Sequence, residues 1–254
     1  MLTSVQKEKL GPIFTIANFI RLKILRIVLA GKNVWCPCCK TSFRKFAAFG
    51  NPRRQNAWCP KCQSLERHRL LWMFLEKETD LYKKPVKMLH VAPEEAFFKL
   101  FKGSSNIDYH PVDIFPHLYP KGTTYFNLLE NDSPDNIYNV IICNHVFQYI
   151  EDDHTAMSEV FRLLNPGGWA ILQVPLNKSL GKTFEDKSII DPKERERLFG
   201  LKEHTRFYSS DYKNRLENVG FTVNAIDYTS KFTEDEIRKF GFYQGDDIYL
   251  GVKK

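Results

Sequence analysis

Apolar and polar positions between residues 138 and 175 follow two different periods in turn. Residues 140–142 form a short run of β-branched side chains, which is typical of a buried strand. Apolar side chains then recur at helical spacing over residues 156–164, and Asn-Pro-Gly-Gly at 165–168 ends that helix before residues 169–174 extend again. This succession predicts one strand-helix-strand crossover of a parallel sheet.

The pattern places further elements around this block. Strands are predicted at 86–91 and 107–112, with a helix at 95–102 between them. The charged segment 176–201 has no clear period, and the tail 232–254 is typical of a helix followed by a strand that closes the sheet. Strands that alternate with helices predict an α/β fold whose parallel sheet has helices on both faces.

Polar side chains cluster where these strands end. Cys143, Asn144 and His145 follow one apolar run, and Asp113 ends the strand before it. Ligands of parallel sheets bind at the carboxyl ends of the strands, so these residues are expected beside a cofactor or substrate. The Asp113 carboxylate can accept both hydroxyls of a ribose, which predicts an adenosine ligand.

Composition and charge divide the chain into a basic front and an acidic main part. With 254 residues and 43% hydrophobic side chains, the chain can form one α/β domain of ordinary size plus an appendage, and disorder is not expected. Residues 1–84 hold 17 Lys/Arg against 5 Asp/Glu, whereas residues 85–254 hold 20 against 25. The basic appendage is expected to face RNA, an anionic membrane or an acidic glycan, or to be a solvated surface.

Apolar residues at 13–30 predict an N-terminal amphipathic helix. Arg21, Lys23 and Arg26 interrupt them, so neither a transmembrane span nor a secretory signal is expected. The helix is expected to pack on the main domain or to make peripheral contact with a membrane. A cytoplasmic location is the expectation that follows.

Five of the six cysteines lie between positions 36 and 62. Cys36 with Cys39 and Cys59 with Cys62 form two C-x2-C pairs whose separation matches a zinc ribbon. Four thiolates complete the tetrahedral shell of Zn(II), which predicts a structural metal rather than a catalytic one. Cys38 is left over, although it could replace Cys39 as a ligand, and two disulfides are the alternative.

The segment between the cysteine pairs combines aromatic and basic side chains. Phe43, Phe46 and Phe49 are expected either to stack on single-stranded nucleic acid or to form the core of the ribbon. After the ribbon, Ser64 is expected to cap a helix whose polar side carries residues 67–69 and joins the ribbon to the main domain. Three segments are therefore predicted: an amphipathic helix at 1–33, the ribbon with its connecting helix at 34–84, and the main domain at 85–254.

The motifs CNHV and L-x-P-G-G within residues 138–175 resemble the second half of a class I, type 11-like, S-adenosylmethionine-dependent methyltransferase domain. The run C-P-K-C-x-S-L-E-R-H-R-L-L-W at residues 59–72 resembles the front of a subgroup of bacterial methyltransferase-like proteins. The resemblance thus spans nearly the whole chain. It implies a doubly wound, Rossmann-like, mostly parallel sheet behind a small zinc ribbon, and S-adenosylmethionine as cofactor.

The resemblance also implies where the cofactor binds. The family's first strand ends in an acid and a glycine-rich turn, and here His90 replaces the acid while Ala92, Pro93 and Glu94 form the turn. Glu94 is expected either to pair with the ammonium of the cofactor's methionine end or to cap the next helix. The other residues expected to bind the cofactor are Asp113 at the ribose, Asn127 and Leu128 at the adenine, and Cys143, Asn144 and His145 near the methyl group.

The acceptor side carries a second match. The family has an H-x-R-x-Y segment before a helix, and this chain has His204, Arg206 and Tyr208 before residues 211–218 and then Gly-Phe-x-Val at 220–223. If extended, these three side chains share one face. That face would line a pocket where His204 accepts a proton and Arg206 holds an anion, or it would be a wet strand face.

Position 145 and the residues after it complete the expected catalytic set. His145 is expected to be a base or a hydrogen-bonding residue. Gln148 and Tyr149 stand where the family has Glu and His. The implied function is methyl transfer from S-adenosylmethionine to a small-molecule or glycan-like acceptor. The alternatives are RNA methylation through the basic front and a binding protein that kept the fold without catalysis.

Overall fold

The computed structural model describes residues 11–50 and 52–254, so the first ten residues of the predicted segment 1–33 lie outside it. Its helices are α1 (Gly11–Val28), α2 (Glu66–Glu78), α3 (Glu95–Lys102), α4 (Asp153–Leu163), α5 (Pro192–Phe199), α6 (Tyr212–Asn218) and α7 (Glu234–Phe240). Its strands are β1 (Val34–Cys36), β2 (Thr41–Phe43), β3 (Ala47–Phe49), β4 (Arg54–Trp58), β5 (Val86–Val91), β6 (Ile107–Asp113), β7 (Thr124–Tyr125), β8 (Tyr138–Cys143), β9 (Leu164–Ile171), β10 (Phe184–Glu185), β11 (Arg206–Phe207), β12 (Thr222–Ile226) and β13 (Ile248–Val252).

A seven-stranded sheet in the order β12-β13-β9-β8-β5-β6-β7 forms the centre of the main domain. Strands β7, β6, β5, β8 and β9 run parallel, and β13 is inserted antiparallel between β9 and β12. The predicted α/β, mostly parallel, Rossmann-like fold is confirmed. The carboxyl ends of β5, β6 and β8 meet at one edge because parallel strands point the same way.

The crossover that the sequence predicts most clearly is present. Helix α4 is capped by Asp152, whose carboxylate accepts the Thr155 N–H at 3.0 Å. Its apolar side, which includes Ala156, Val160 and Leu163, is buried against the sheet. Strand β9 begins at Leu164, directly after the helix, and not at 169 as predicted. The Pro-Gly-Gly turn is thus absorbed into an irregular strand start.

Two short hairpins, β1-β2 and β3-β4, form the ribbon. Leu22, Leu25 and Leu29 of the α1 segment pack towards it. The other side of α1 exposes an apolar stripe, formed by Ile20, Ile24, Ile27 and Val28. In the described part of the chain, no helix has the length and hydropathy needed to cross a membrane. Peripheral membrane contact stays a prediction.

The ribbon and the main domain share one apolar core. A continuous cluster runs from Phe43 and Phe46 of the ribbon through α2 to Met88 and Phe97 of the main domain. Buried phenylalanines at 43 and 46 have no face free for nucleobases, so the prediction that these side chains form the ribbon's core holds for both.

Two local expectations are wrong. Residue Leu65, not Ser64, occupies the N-cap position of α2, because the Ser64 hydroxyl bonds to cysteine sulfurs instead. The segment 176–201 is not irregular throughout, since it contains α5 and β10, which pairs with β11. Asp191 caps α5 and Pro192 occupies its first turn, a combination that the charged sequence did not make obvious.

Candidate functional site

The loop after β5 carries a half-buried carboxylate, Glu94, at the carboxyl edge of the sheet. Glu94 Oε2 lies 2.6 Å from Nε2 of His90, and His90 Nδ1 lies 2.8 Å from the Tyr109 hydroxyl. Asn144 Nδ2 donates to Glu94 Oε1 at 3.4 Å. Glu94 occupies the N-cap position of α3, where a carboxylate is favourable, but its side chain makes no cap hydrogen bond. The carboxylate is held towards the strand ends, where a ligand cation can reach it.

The turn before Glu94 contains a left-handed backbone conformation, although its sequence has no glycine. Ala92 has φ +54°, in the left-handed region that normally favours glycine. Its N–H donates to Val112 O at 2.9 Å, which fixes the turn to β6. Alanine thus forms a turn for which glycine is usual. Its small side chain leaves most of the space that a glycine would leave.

Asn144 joins three strand ends. Besides donating to Glu94, it accepts the backbone N–H of Gln173 at 3.3 Å through Oδ1. The next residue, His145, has φ +54° and donates its own backbone N–H to Gln173 O at 2.6 Å. Burial lowers the pKa of His145 well below its usual value, so the ring is neutral at pH 7. Cys143, at the strand end, is fully buried and faces the core.

The residues predicted to hold adenosine lie at the neighbouring strand ends. Asp113 is buried, and burial raises the pKa of its carboxyl group. One of its oxygens accepts the Phe115 N–H at 2.7 Å. Asn127 Oδ1 accepts the Leu129 N–H at 3.0 Å, and that bond competes with the predicted one to adenine. Leu128 is buried.

His204 lies beside the 3₁₀ turn Phe147–Tyr149 that follows β8. Its ring stacks edge-on against Tyr149, with centroids 4.8 Å apart. His204 Nδ1 lies 2.8 Å from the Phe199 carbonyl oxygen, which can only accept, so Nδ1 carries the proton and Nε2 has a free lone pair. Burial lowers the pKa of His204, which keeps the ring neutral.

Arg206 and Tyr208 do not line a pocket beside His204. Arg206 donates to Glu185 Oε2 at 2.8 Å and to the carbonyl oxygens of Phe147, Ile150 and Glu151. The Tyr208 hydroxyl donates to Asp153 Oδ2 at 2.6 Å, and its ring is fully buried. Both side chains are fixed in an internal network, since Arg206 ties β11 to the loop after β8 and Tyr208 ties the residue after β11 to the start of α4. The predicted anion-holding guanidinium is therefore not free.

Two residues that sequence analysis did not assign to the site reach it from α2. His68 Nε2 lies 4.0 Å from Glu94 Oε1, and its ring packs on Phe97. The Arg67 guanidinium interacts electrostatically with Glu94 and Asp246. The sequence predicts residues 67–69 on a polar side of the helix, and the motif E-R-H-R is the available signal. Packing of α2 against the sheet edge turned part of that side inwards.

Unsatisfied polar atoms concentrate around this edge. Within the described residues, eight buried side-chain polar atoms lack a hydrogen-bond partner, and two of them, on Trp72 and Tyr82, belong to a separate aromatic pair. The other six are on Arg67, His68, His145, Gln148, Glu203 and His204. Each unsatisfied buried group costs about 1–3 kcal/mol. Buried polar groups without a hydrogen-bond partner in the protein are commonly satisfied by ordered water or by a ligand.

The four cysteines predicted to bind a metal lie together in the ribbon. The sulfur atoms of Cys36, Cys39, Cys59 and Cys62 all lie within 4.8 Å of one another, with Cys36 to Cys62 at 3.5 Å and Cys39 to Cys59 at 3.7 Å. Tetrahedral Zn–S bonds place sulfurs about 3.8 Å apart. All six cysteines are free, which argues against the disulfide alternative. The thiol geometry fits a zinc ion.

The atoms around the sulfurs also suit a metal. The Ser64 hydroxyl lies 3.3 Å from the Cys36 sulfur and 3.2 Å from that of Cys62. Hydrogen bonds to ligand sulfurs orient and stabilise them. Cys38 contacts the His68 carbonyl at 3.8 Å instead, and burial raises the pKa of its thiol. The Cys39 sulfur, not that of Cys38, lies among the four that cluster together, so Cys39 fits that position better.

The chain resembles known proteins over its main domain. Residues 92–226, just over half of the chain, match the family model described as a methyltransferase domain. Malonyl-[acyl-carrier protein] O-methyltransferase 1 of Ilyobacter polytropus is 28% identical over 99 residues, which are 39% of this chain and only 34% of that protein.

Solved structures share the fold at low identity. A candidate sarcosine dimethylglycine methyltransferase from Galdieria sulphuraria superimposes with a TM-score of 0.50 at 16% identity, over 80% of this chain and 89% of that one. An S-adenosylmethionine-dependent methyltransferase from Archaeoglobus fulgidus gives 0.48 at 14% identity, over 76% and 96%. With the family match and the central sheet, the chain belongs to the methyltransferase domain family and carries the fold of the S-adenosylmethionine-dependent enzymes.

Proposed function

We propose that this protein transfers a methyl group from S-adenosylmethionine to a small-molecule or glycan-like acceptor whose nucleophile carries a proton. The observation that carries the proposal is the neutral, buried ring of His204, whose Nε2 lone pair has no partner within the described part of the chain. A free imidazole lone pair is the group that removes a proton from a hydroxyl or amine.

The methyl donor is proposed to lie along the carboxyl ends of β5, β6 and β8. Glu94 would bind the ammonium group, Asp113 the ribose hydroxyls, and Asn127 with Leu128 the adenine. When bound, S-adenosylmethionine supplies a methyl group already activated by the positive sulfur. The orphaned polar atoms around Glu94 fit such a polar ligand, because binding would satisfy them.

The protein's own contribution is positioning and proton transfer. His204 would take the acceptor's proton, while Tyr149 packs against the ring and keeps it in place. Arg206 would act as a positioning residue because it fixes the loop that carries Tyr149, and Tyr208 would do so by fixing the start of α4 behind that loop. His145 and Asn144 would shape the space near the methyl group. Holding two reactants in line is the largest demand of such a reaction.

The Cys36, Cys39, Cys59 and Cys62 thiolates are proposed to hold a structural Zn(II). The ion would supply tetrahedral cross-linking of the two hairpins and no open position for substrate. We also propose the organisation into segments 1–33, 34–84 and 85–254, with the second packed firmly on the third through their shared core.

RNA methylation through the basic front is less favoured. The ribbon's Phe43 and Phe46 are buried, so stacking on bases would require the ribbon to open. The relative whose printed name includes malonyl-[acyl-carrier protein] acts on a carrier-bound acid, which suits a small acceptor class. An affinity for RNA that falls steeply as the salt concentration rises would restore the RNA alternative.

Donor binding and methyl transfer test the proposal in sequence. Calorimetry with S-adenosylhomocysteine is expected to show binding to the whole, zinc-loaded chain. Incubation with S-adenosylmethionine and a pool of small hydroxyl and amine compounds should then yield methylated products by mass spectrometry, and the His204→Asn variant should yield fewer. Methyl incorporation into RNA alone would contradict the acceptor class, and absence of donor binding would support a non-catalytic protein.

A further inference from the structure

Helix α1 packs on the ribbon with one side and exposes the opposite side. The packed side carries Leu22, Leu25 and Leu29. At about 3.6 residues per turn, the apolar stripe at positions 20, 24, 27 and 28 lies on the other side of the helix. Its side chains are aliphatic and largely exposed, and Ile27 is 77% exposed. The proposed function gives this stripe no role.

Basic residues lie at the edges of the stripe. Arg21 and Lys23 occupy helix positions on its two flanks, and both are exposed. At the C-terminal end of the stripe, Arg44 Nη2 donates to the Val28 carbonyl oxygen at 3.4 Å, so a third exposed cation lies beside it. An apolar helix face with cations along its edges is typical of helices that lie in a membrane interface.

The sequence around the stripe contains no acid to balance these cations. Residues 9–65 hold 11 Lys/Arg and no Asp or Glu. The next acid along the chain, Glu66, is buried and already pairs with Arg54 at 2.9 Å. The helix and the ribbon therefore present charge of one sign, which attracts an anionic surface.

An anionic bilayer fits the stripe and the cations better than other occupants do. A second copy of the chain would bring the same acid-free surface against itself, and like charges across an interface repel. RNA would neutralise the cations, but aliphatic side chains offer no ring on which a base can stack. A bilayer meets both needs, because its phosphates face the cations while the boundary of its acyl chains takes the stripe out of water.

We propose that α1 is an interfacial helix that docks the protein on an anionic lipid bilayer. The stripe enters the boundary between headgroups and acyl chains, and Arg21, Lys23 and Arg44 contact lipid phosphates. The helix lies in the plane of the membrane, because its opposite side is packed on the ribbon. Such docking does not depend on methyl transfer.

Vesicle flotation with the full, zinc-loaded chain tests the docking. The protein is expected to bind vesicles of phosphatidylcholine and phosphatidylglycerol in equal parts, and this binding should weaken as the salt concentration rises. Binding to vesicles of phosphatidylcholine alone should be weaker by about tenfold or more, since the cations then have no anionic headgroups to contact. Equal binding to the two kinds of vesicle, or binding to neither, would overturn the proposal.

Two variants test the stripe and the cations separately. The double variant Ile24→Gln/Ile27→Gln should bind the anionic vesicles about tenfold or more weakly, because two aliphatic side chains no longer leave water. Ile190→Gln, at an equally exposed isoleucine outside α1, is the matched control and should bind normally. Arg44→Gln should bind about fivefold more weakly, whereas Arg197→Gln, exposed in the main domain, should not. Unchanged binding of the double variant would contradict the role of the stripe.

Measurements without lipid test the other occupants of the stripe. Glutamine favours a helix at least as well as isoleucine, so the double variant should melt at the same temperature as the unmodified protein. A lower melting temperature would show that the stripe packs within the molecule, and a dimer that the double variant abolishes in sedimentation velocity would show a second copy. Either result, or RNA binding by a protein that binds no vesicles, would overturn the docking.

Discussion

Arg69 Nε donates to the main-chain oxygen of Phe240, 171 positions away, at 2.6 Å. The same guanidinium also donates to Ala57, Ser64 and Gly241, and it lies 4.0 Å from the centre of the Phe46 ring. One side chain thus links the ribbon to the turn after α7. Because its donors meet carbonyl oxygens only, the bonds replace water for a fully buried cation.

Substitution Arg69→Met should destabilise the whole chain. Removal of the guanidinium leaves several buried carbonyl oxygens without donors, so the free energy of unfolding should fall by about 3 kcal/mol or more. Urea denaturation of the zinc-loaded protein measures this change. Arg53→Gln is the exposed control, and equal unfolding midpoints for the two variants would contradict the prediction.

The amount of zinc bound should depend on the four clustered cysteines and on no other cysteine. Mass spectrometry of the metal is expected to find one zinc per chain, and Cys59→Ser should lose most of it because three thiolates bind weakly. Cys38→Ser and Cys143→Ser should keep it, since neither sulfur is among the four that lie together. Full zinc in Cys59→Ser would rule out the proposed ligand set.

Chelation should also lower the melting temperature. The connecting helix begins two residues after Ser64, which bonds to ligand sulfurs, so loss of the metal is expected to loosen α2 as well as the hairpins. Thermal unfolding with and without a chelator tests this coupling. A Cys59→Ser sample provides the control, because chelator should add little to its instability.

Binding of two nucleosides should distinguish the role of Asp113 from that of Glu94. Asp113→Asn is expected to weaken both S-adenosylhomocysteine and 5′-methylthioadenosine about tenfold, because both ligands contain the ribose. Glu94→Gln should weaken only S-adenosylhomocysteine, whose ammonium group it is proposed to bind. Calorimetry of the four combinations measures this pattern, and an equal loss for both ligands in Glu94→Gln would contradict it.

Acid should destabilise the folded chain through its buried histidines. Burial lowers the pKa values of His145 and His204 in the folded state, whereas the pKa of histidine in an unfolded chain is about 6.5. Below that pH the unfolded chain takes up protons that the folded chain does not, so stability present above it is lost as the pH falls towards the folded values.

Melting temperatures between pH 5 and pH 8 measure this loss. His145→Asn should flatten the acid slope, and asparagine also tolerates the left-handed backbone found there. If the variant and the unmodified protein show parallel profiles, burial of His145 does not contribute to acid sensitivity.

Local sequence signals predicted most elements and the clustering of the four cysteines. The parallel crossover at 138–175 depends on periodicity alone, and the two C-x2-C pairs depend on spacing alone. Both are short-range properties, because the hydrophobic period and the spacing of metal-ligating residues depend only on residues close together in the sequence. The positions of β10 and α5 within 176–201 were not visible, since their stability comes from contacts with distant residues such as Arg206.

Sequence by itself thus determined an α/β fold, a four-cysteine cluster and polar strand ends. Tertiary structure decided which polar side chains are free. Arg206, expected at a ligand, is bound internally, whereas the Nε of Arg67, expected on a polar helix side, is buried without a hydrogen-bond partner among the described residues. The reason is physical: hydrogen-bond satisfaction depends on carbonyls and carboxylates that folding brings from far along the chain, and no local pattern records them.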